Sequence, residues 1–234
     1  KKIKPSAIRD MPFKEPKIKL NDLCGYESHK DILKRIITSP GNDLILMYGP
    51  EGNGKKAFTE ALAGEYGYNF ITVIASQPMD KFVGNTDQVI GEYIERAKQL
   101  APSILAFHKV DALISKKGIT DYSHSWTGLL EAKLSEQLDG VTVVATVLDP
   151  SVLNDTFVGL FTHKMLFDYP EKEDRAKIWK KYLEGTNVDT DKLASMDKKL
   201  SCRDITYVCK KVRDFGLPQT EEVYLDILKS YKTT

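Results

Sequence analysis

The stretch Gly49-Pro50-Glu51-Gly52-Asn53-Gly54-Lys55-Lys56 constrains this chain more than any other. It fits the phosphate-loop pattern GxxxxGK and departs from it only at the last position, where Ser or Thr is the rule. An apolar, β-rich run, Leu44–Tyr48, precedes it, and a helical pattern over Lys55–Glu65 follows, with Phe58, Ala61 and Leu62 on one face. Strand, loop and helix in that order is the context the motif demands, and it argues against an ordinary glycine-rich turn with no ligand. The glycines let the backbone curl so that successive N–H groups face a phosphate. The helix N-terminus adds partial positive charge, and Lys55 adds a full one. Lys56 is the exception. A hydroxyl in its place ligates Mg²⁺, whereas an ammonium repels a cation.

Four further β-rich runs follow: Phe70–Ala75, Ile104–Phe107, Val141–Thr146 and Met165–Phe167. Most are continuously apolar rather than alternating, which predicts strands buried on both faces of a parallel sheet. Helical periodicity falls between them, over Thr86–Leu100 and Trp126–Leu138, and a shorter helix is expected over about residues 27–37. The pattern predicts a five-stranded parallel sheet sandwiched by helices over residues 21–168. From Pro170 onward the β-rich runs stop, and 171–184, 189–196, 202–215 and 219–231 read as helices. These predict a small all-helical domain over 169–234, with Pro218 separating its last two helices. Residues 1–20 carry Pro5, Pro12 and Pro16 and no helical period, so they read as an extended linker or arm packed along the larger domain or a neighbouring subunit.

Composition excludes some functions. A net charge of +1 gives no electrostatic footprint for nucleic acid or a membrane surface. No apolar run approaches membrane-spanning length, and there is no signal-peptide pattern. Cys24, Cys202 and Cys209 form no CxxC pair and leave an odd number, which suits idle thiols in a reducing compartment. Cytoplasm or nucleus is therefore the expected location. The chain opens on Lys1 and not Met, so it is expected to be a piece of something longer.

Several segments together resemble the AAA ATPase family. Ile45–Ala63, ILMYGPEGNGKKAFTEALA, resembles its Walker A strand, loop and helix. Lys81-Phe82-Val83-Gly84 resembles its central-pore loop, and Ala101–Leu113, APSILAFHKVDAL, its Walker B segment. Val143–Leu153, VVATVLDPSVL, resembles the first-sensor strand, and 170–184 with 199–214 resemble the helical lid. Lys4–Arg9 and Asn21–Gly25 are similar to the linker that enters the second ATPase domain of two-ring members, the Cdc48/valosin-containing-protein group and its ribosome-biogenesis relatives. The resemblance implies ATP or ADP held by Gly49, Pro50, Glu51, Gly52, Asn53, Gly54, Lys55, Lys56 and Ala57, with Leu23 and Cys24 beside the adenine. It implies that Phe82 faces threaded polypeptide. It also implies partners: other AAA subunits or domains in a ring, with an active ATPase domain elsewhere in the same longer chain or complex, and protein clients.

The sequence departs from that family where the chemistry lies. By the resemblance, His108 replaces the aspartate that holds Mg²⁺, Lys109 the glutamate that activates water, and Val147 the asparagine that orients it. Leu160 and His163 fall where trans-acting arginines belong. Phosphoryl transfer of this kind is positioning plus electrostatics. A lysine ammonium has no lone pair with which to take a proton from water, and loss of a trans arginine alone costs about 10³–10⁵ in rate. Mg²⁺ is thus not expected to be ligated in the usual way, and no residue is assigned a catalytic or metal-binding role. His108 reads as a strand-end polar residue, since no second metal-ligating residue stands at ligand spacing beside it. Asp111 reads as structural. Arg203, at the start of a lid helix, reads as a surface residue with a phosphate as the alternative target.

Three functional readings follow. The first is a catalytically degenerate AAA domain, a scaffold or regulatory member of a protein-remodelling ring that still holds ATP or ADP. The second is a slow ATPase that remodels or unfolds protein complexes, and His108, Lys109 and Val147 argue against it. The third is a nucleotide-free protein-interaction module, and the nearly complete phosphate loop argues against that. The cluster of Lys55, Lys56 and Lys109 suggests that ammonium groups replace the divalent cation, so that nucleotide binds without Mg²⁺.

Overall fold

In the computed structural model, residues 13–38, 43–74, 86–112, 114, 121–196 and 198–232 are described. Five strands run parallel: β2 (Leu44–Tyr48), β3 (Asn69–Ile74), β4 (Ser103–His108), β5 (Val141–Val147) and β6 (His163–Leu166). A two-residue strand, β1 (Phe13–Lys14), pairs antiparallel with β3 at one edge, giving the order β1-β3-β4-β5-β2-β6. The sequence pattern predicts the five parallel strands and not the sixth, which is too short to carry a period.

The continuous apolar runs resolve into two cores. Leu44 and Leu46, Ile71 and Val73, Leu105 and Phe107, and Val143 and Ala145 face one side. There they meet α3 (Thr86–Gln99) and α4 (Asp121–Leu134) through Ile90, Ile94, Leu130 and Leu134. Their neighbours Ile45, Met47, Phe70, Ile104, Ala106 and Val144 face the other side. These pack on α1 (Glu27–Thr38) and α2 (Lys55–Tyr66), chiefly on Leu33, Ile36, Phe58 and Leu62. Successive side chains of a strand point to opposite faces, so covering both faces makes most positions apolar. Each fully buried Leu, Ile or Phe contributes about 1.5–3 kcal/mol of transfer free energy.

Beyond α5 (Asp155–Leu160), the described residues from 169 onward hold only helices and loops: α6 (Lys172–Tyr182), α7 (Thr190–Ser195), α8 (Cys202–Asp214) and α9 (Glu221–Lys232). They close around Trp179, Leu193, Ile205, Val208, Val212 and Tyr224. Ser201 and Asp204 form a reciprocal capping box that fixes where α8 starts.

One helix is displaced from expectation. Periodicity predicts Trp126–Leu138, whereas α4 spans Asp121–Leu134. Leu138 continues the apolar stripe and is buried, but it does so from the loop entering β5, where its carbonyl accepts from Val141 N. A stripe records burial, not helicity. Ile18 and Leu20, in the described part of the arm, pack on the α2 side of the sheet. Leu20 is fully buried and its N–H donates to Glu65 Oε2 at 3.2 Å. The arm backbone at Ile18 crosses α2 against Gly64, where any Cβ would strike the Ile18 carbonyl. Residues 1–12 and the Lys81–Gly84 segment with Phe82 lie outside the described residues.

Candidate functional site

β2 ends at Tyr48 between β5 and the edge strand β6, and the phosphate loop follows directly. In open parallel sheets the crevice outside the carboxyl ends of the strands, where the strand order reverses, is where ligands sit. Gly49, Gly52 and Gly54 all adopt positive φ. At Gly49 an added Cβ would lie 2.5 Å from the Phe167 carbonyl, so only glycine lets the loop leave the sheet there. Asn53 is fully buried and donates from Nδ2 to Phe167 O at 3.4 Å. Lys55 opens α2, and its Nζ donates to the carbonyls of Gly49 (2.5 Å) and Pro50 (2.7 Å). Burial, with Arg203 nearby, pulls the Lys55 ammonium below its usual range.

Two cavities flank this loop. One, of about 450 Å³, lies over the ends of β4 and β5 and is lined by Lys55, Lys56, Glu60, His108, Lys109 and Val147 among others. The second, of about 380 Å³, lies between the loop and the helical lid, with Leu23, Cys24, Ala57, Ile178, Cys202 and Thr206 in its wall. Gly52, Asn53, Gly54, Ala57 and Arg203 border both. The sequence-predicted residues therefore fall into two groups on either side of one turn.

The base of the second cavity is held by polar contacts that the sequence did not suggest. Lys30 is buried and donates to Leu23 O at 2.6 Å and to Glu27 Oε1 at 2.9 Å. Tyr26, at φ 54°, donates its hydroxyl to Asp168 O at 2.6 Å, and burial drives its pKa far upward. Burial also pushes the Cys202 thiol up to about 11, so it is inert as a nucleophile near neutrality.

At the first cavity, alternation along β4 decides what faces α2. Ile104 and Ala106 point to the α2 side, and His108 continues that row. Its side chain is only 4% exposed. His108 stands in register with Thr146 of β5, whose hydroxyl lies 3.4 Å from His108 Nδ1 and accepts from Lys109 N at 3.1 Å. Burial, then the nearby Lys56 charge, lowers the His108 pKa from 6.5 to about 4, with Glu60 opposing. Its imidazole is neutral at pH 7. Val147 is buried at the end of β5 and offers no polar side-chain atom.

Lys109 sits at φ 57°, a conformation rare for a side-chain-bearing residue, and its ammonium is 2.9 Å from Glu51 Oε1. The other Glu51 oxygen is 3.3 Å from Arg203 Nη1. These two cations, Lys109 first, hold the Glu51 carboxyl below its usual range. A phosphate-loop carboxylate thus ties the end of β4 to the start of α8. The lid also meets the loop directly: Arg203 N donates to Gly52 O at 3.0 Å. The sequence reading grouped Lys109 with Lys55 and Lys56 and placed Arg203 on the surface, where it lies, but it did not pair either with Glu51. It also missed Glu60, a buried carboxylate of the same cavity wall. Its one sequence signal is its place four residues after Lys56 on α2, which puts both on one helix face.

Elsewhere, Leu160 is half-buried against the core, and His163 Nε2 is 3.1 Å from Asp43 Oδ1. Among the described residues, no group of three or more His, Cys, Asp or Glu is placed to hold a metal ion. The ends of β4 and β5 offer an ammonium, a neutral imidazole and an isopropyl group, which do not suit Mg²⁺ with its need for oxygen ligands.

Comparison with known proteins fits this geometry. Residues 45–169, more than half of the chain, match the family model described as "ATPase family associated with various cellular activities (AAA)". The chain is similar to the Cell division cycle protein 48 homolog of Archaeoglobus fulgidus, at 29% identity over 100% of this chain and 36% of that protein. It is also similar to the ATPase family gene 2 protein of Saccharomyces cerevisiae, at 29% identity over 89% of this chain and 30% of that protein. The Peroxisomal ATPase PEX1 of Saccharomyces cerevisiae is 27% identical over 91% of this chain and 22% of that protein. The chain spans about a third or less of the length of these relatives.

Proposed function

The chain belongs to the AAA family of ATPases, and we propose that it is a member that holds nucleotide without hydrolysing it. The observation that carries this reading is the end of β4, where Lys109 is ion-paired with Glu51 and His108 is buried and neutral. A water-activating carboxylate and a metal-holding carboxylate belong there, and neither substitute can do that work. Binding is supported by what remains: the glycines of the phosphate loop, Lys55 at the start of α2, and cavities on both sides of the loop. The nucleotide is ATP or ADP. Its base lies in the lid-side cavity near Leu23 and Cys24, and its phosphates pass over Gly52–Lys55.

Mg²⁺ is not required in this reading. Lys55, Lys56, Lys109 and Arg203 border the phosphate path and supply positive charge, partly offset by Glu51 and Glu60. Attraction of that kind weakens as salt is added. The biological role that follows is a scaffold or regulatory subunit, or one ring of a larger protein-remodelling assembly. Hydrolysis would come from another domain of the same chain or complex. No helix of the described residues is long and apolar enough to cross a membrane, and the cytoplasm or nucleus is the proposed location.

Steady-state phosphate release tests the hydrolysis claim, with Lys55→Ala as control. Release at background in both proteins is the expected result. Glu60 supports a second reading, a slow hydrolase, because it is a carboxylate of the same cavity wall. Robust release that disappears in both Lys55→Ala and Glu60→Gln would establish that reading instead.

A further inference from the structure

The geometry points to His108 as a neutral hydrogen-bond donor that takes the terminal phosphate of a nucleoside triphosphate, through Nε2–H. The inference rests on the nucleotide-binding reading above and adds the residue that distinguishes a triphosphate from a diphosphate.

The first observation is a buried polar atom with nothing to bind. His108 is 4% exposed, and its Nε2 finds no hydrogen-bond partner among the described residues. Leaving such an atom unpaired incurs its desolvation cost with nothing in return, so its persistence calls for a ligand. The same side chain lines the cavity that Lys55 and Lys56 border at the N-terminus of α2. The orphaned atom therefore belongs to a residue of the wall that carries the groups best suited to an anion.

The second observation bears on which nitrogen carries the proton. Thr146 Oγ1 accepts from the Lys109 N–H and lies 3.4 Å from His108 Nδ1, and we take its hydroxyl as the donor to that nitrogen. An imidazole that accepts at Nδ1 while neutral must carry its hydrogen on Nε2. The ring is kept neutral by burial and by the Lys56 ammonium, against the pull of the Glu60 carboxylate. It is thus a donor at any pH near neutrality.

The third observation is position. The base-side cavity lies between the loop and the lid, and the cavity holding His108 lies across the loop from it. A nucleotide with its base in the former passes its inner phosphates over Gly52–Lys55. Only the last phosphate of a triphosphate extends to the end of β4. A residue that substitutes for a metal-binding carboxylate has become an anion-binding one, because the ligand there is met directly and not through a cation.

The test uses the whole chain in EDTA, with ATP and ADP as separate titrants for wild type, His108→Phe and His108→Gln. Phe keeps a planar aromatic ring and removes the donor, and Gln restores an N–H. His108→Phe should weaken ATP roughly ten- to hundredfold and leave ADP within about twofold, with His108→Gln recovering much of the loss. Equal loss for both nucleotides, unrecovered by Gln, indicates a packing role and overturns the inference. So does no loss for either. Absence of ATP binding by wild type overturns the nucleotide reading itself, which separates the two failures. Should His108→Phe fail to fold, ¹⁵N-histidine NMR of the wild type decides. The Nε2–H tautomer must be present from pH 6 to 8, and the His108 Nε2 resonance must move with ATP and not with ADP. A protonated ring, the Nδ1–H tautomer, or an unmoved resonance overturns the proposal.

Discussion

The phosphate loop and the strand ends facing it stand a few ångströms apart and have fared differently. On the loop, positive-φ glycines, the lysine at the start of α2 and the close approach to Phe167 all remain. At the ends of β4 and β5, the side chains are a buried imidazole, an ion-paired ammonium and a buried valine. The loop holds its ligand mainly by backbone geometry, which is fixed by how the chain leaves the sheet. The strand ends act through side chains alone, so on the proposed reading three replacements there would remove hydrolysis and leave the fold intact. The difference separates holding a nucleotide from acting on it.

Removing the charge at the start of α2 attacks the retained half directly. Lys55→Ala should weaken ATP and ADP alike by roughly a hundredfold, the scale of a lost charge-assisted contact. Calorimetric titration reads this. Undiminished binding would mean that the loop is vestigial.

The replaced half should be visible in acid. The native state resists protonation of His108 until about pH 4, while the unfolded chain takes the proton near 6.5. The His108 contribution to stability is therefore complete above pH 6.5 and is lost as pH falls toward 4, amounting to about 3 kcal/mol. Urea unfolding of wild type and His108→Phe at pH 7 and pH 4 should show wild type losing about that much more. Parallel losses would place the imidazole in solvent.

The contact between loop and lid is a smaller effect. Gly52 has φ 86°, and an added Cβ would lie 2.6 Å from Ser201 Oγ and 2.9 Å from Arg203 Cβ. Gly52→Ala should cost about 1–3 kcal/mol in thermal or urea unfolding, from backbone strain and displacement of α8 together. Stability within experimental error of wild type would contradict the described approach of α8.

Smallest is the Glu51 bridge between the halves. Its partners are largely exposed, so Glu51→Gln should change stability by only about 0–1 kcal/mol. It should nevertheless tighten ATP binding several-fold, because Lys109 and Arg203 lose their competing anion. Weakened binding would show that Glu51 positions these cations instead of occupying them.

Much of this was legible in the sequence, and the physical reasons differ by element. β2 runs over Leu44–Tyr48 as expected, because apolar runs bounded by turn residues are a strong local signal. The residue types at His108, Lys109 and Val147, on which the proposed loss of hydrolysis rests, are read directly from the sequence. The end of α4 was not, because Leu138 satisfies the same buried stripe from outside the helix. Neither was the Glu51 bridge. Its partners are 58 and 152 residues away along the chain, a pairing that only the topology creates. The His108 tautomer depends in the same way on Thr146 being its neighbour across two strands.

Calorimetric titration of ATP into the whole chain, first in EDTA and then with excess Mg²⁺, tests most directly whether binding has outlived the metal site. Binding in EDTA that is not tightened by Mg²⁺ is the predicted result. Binding that appears only with Mg²⁺, or tightens markedly with it, would contradict the account.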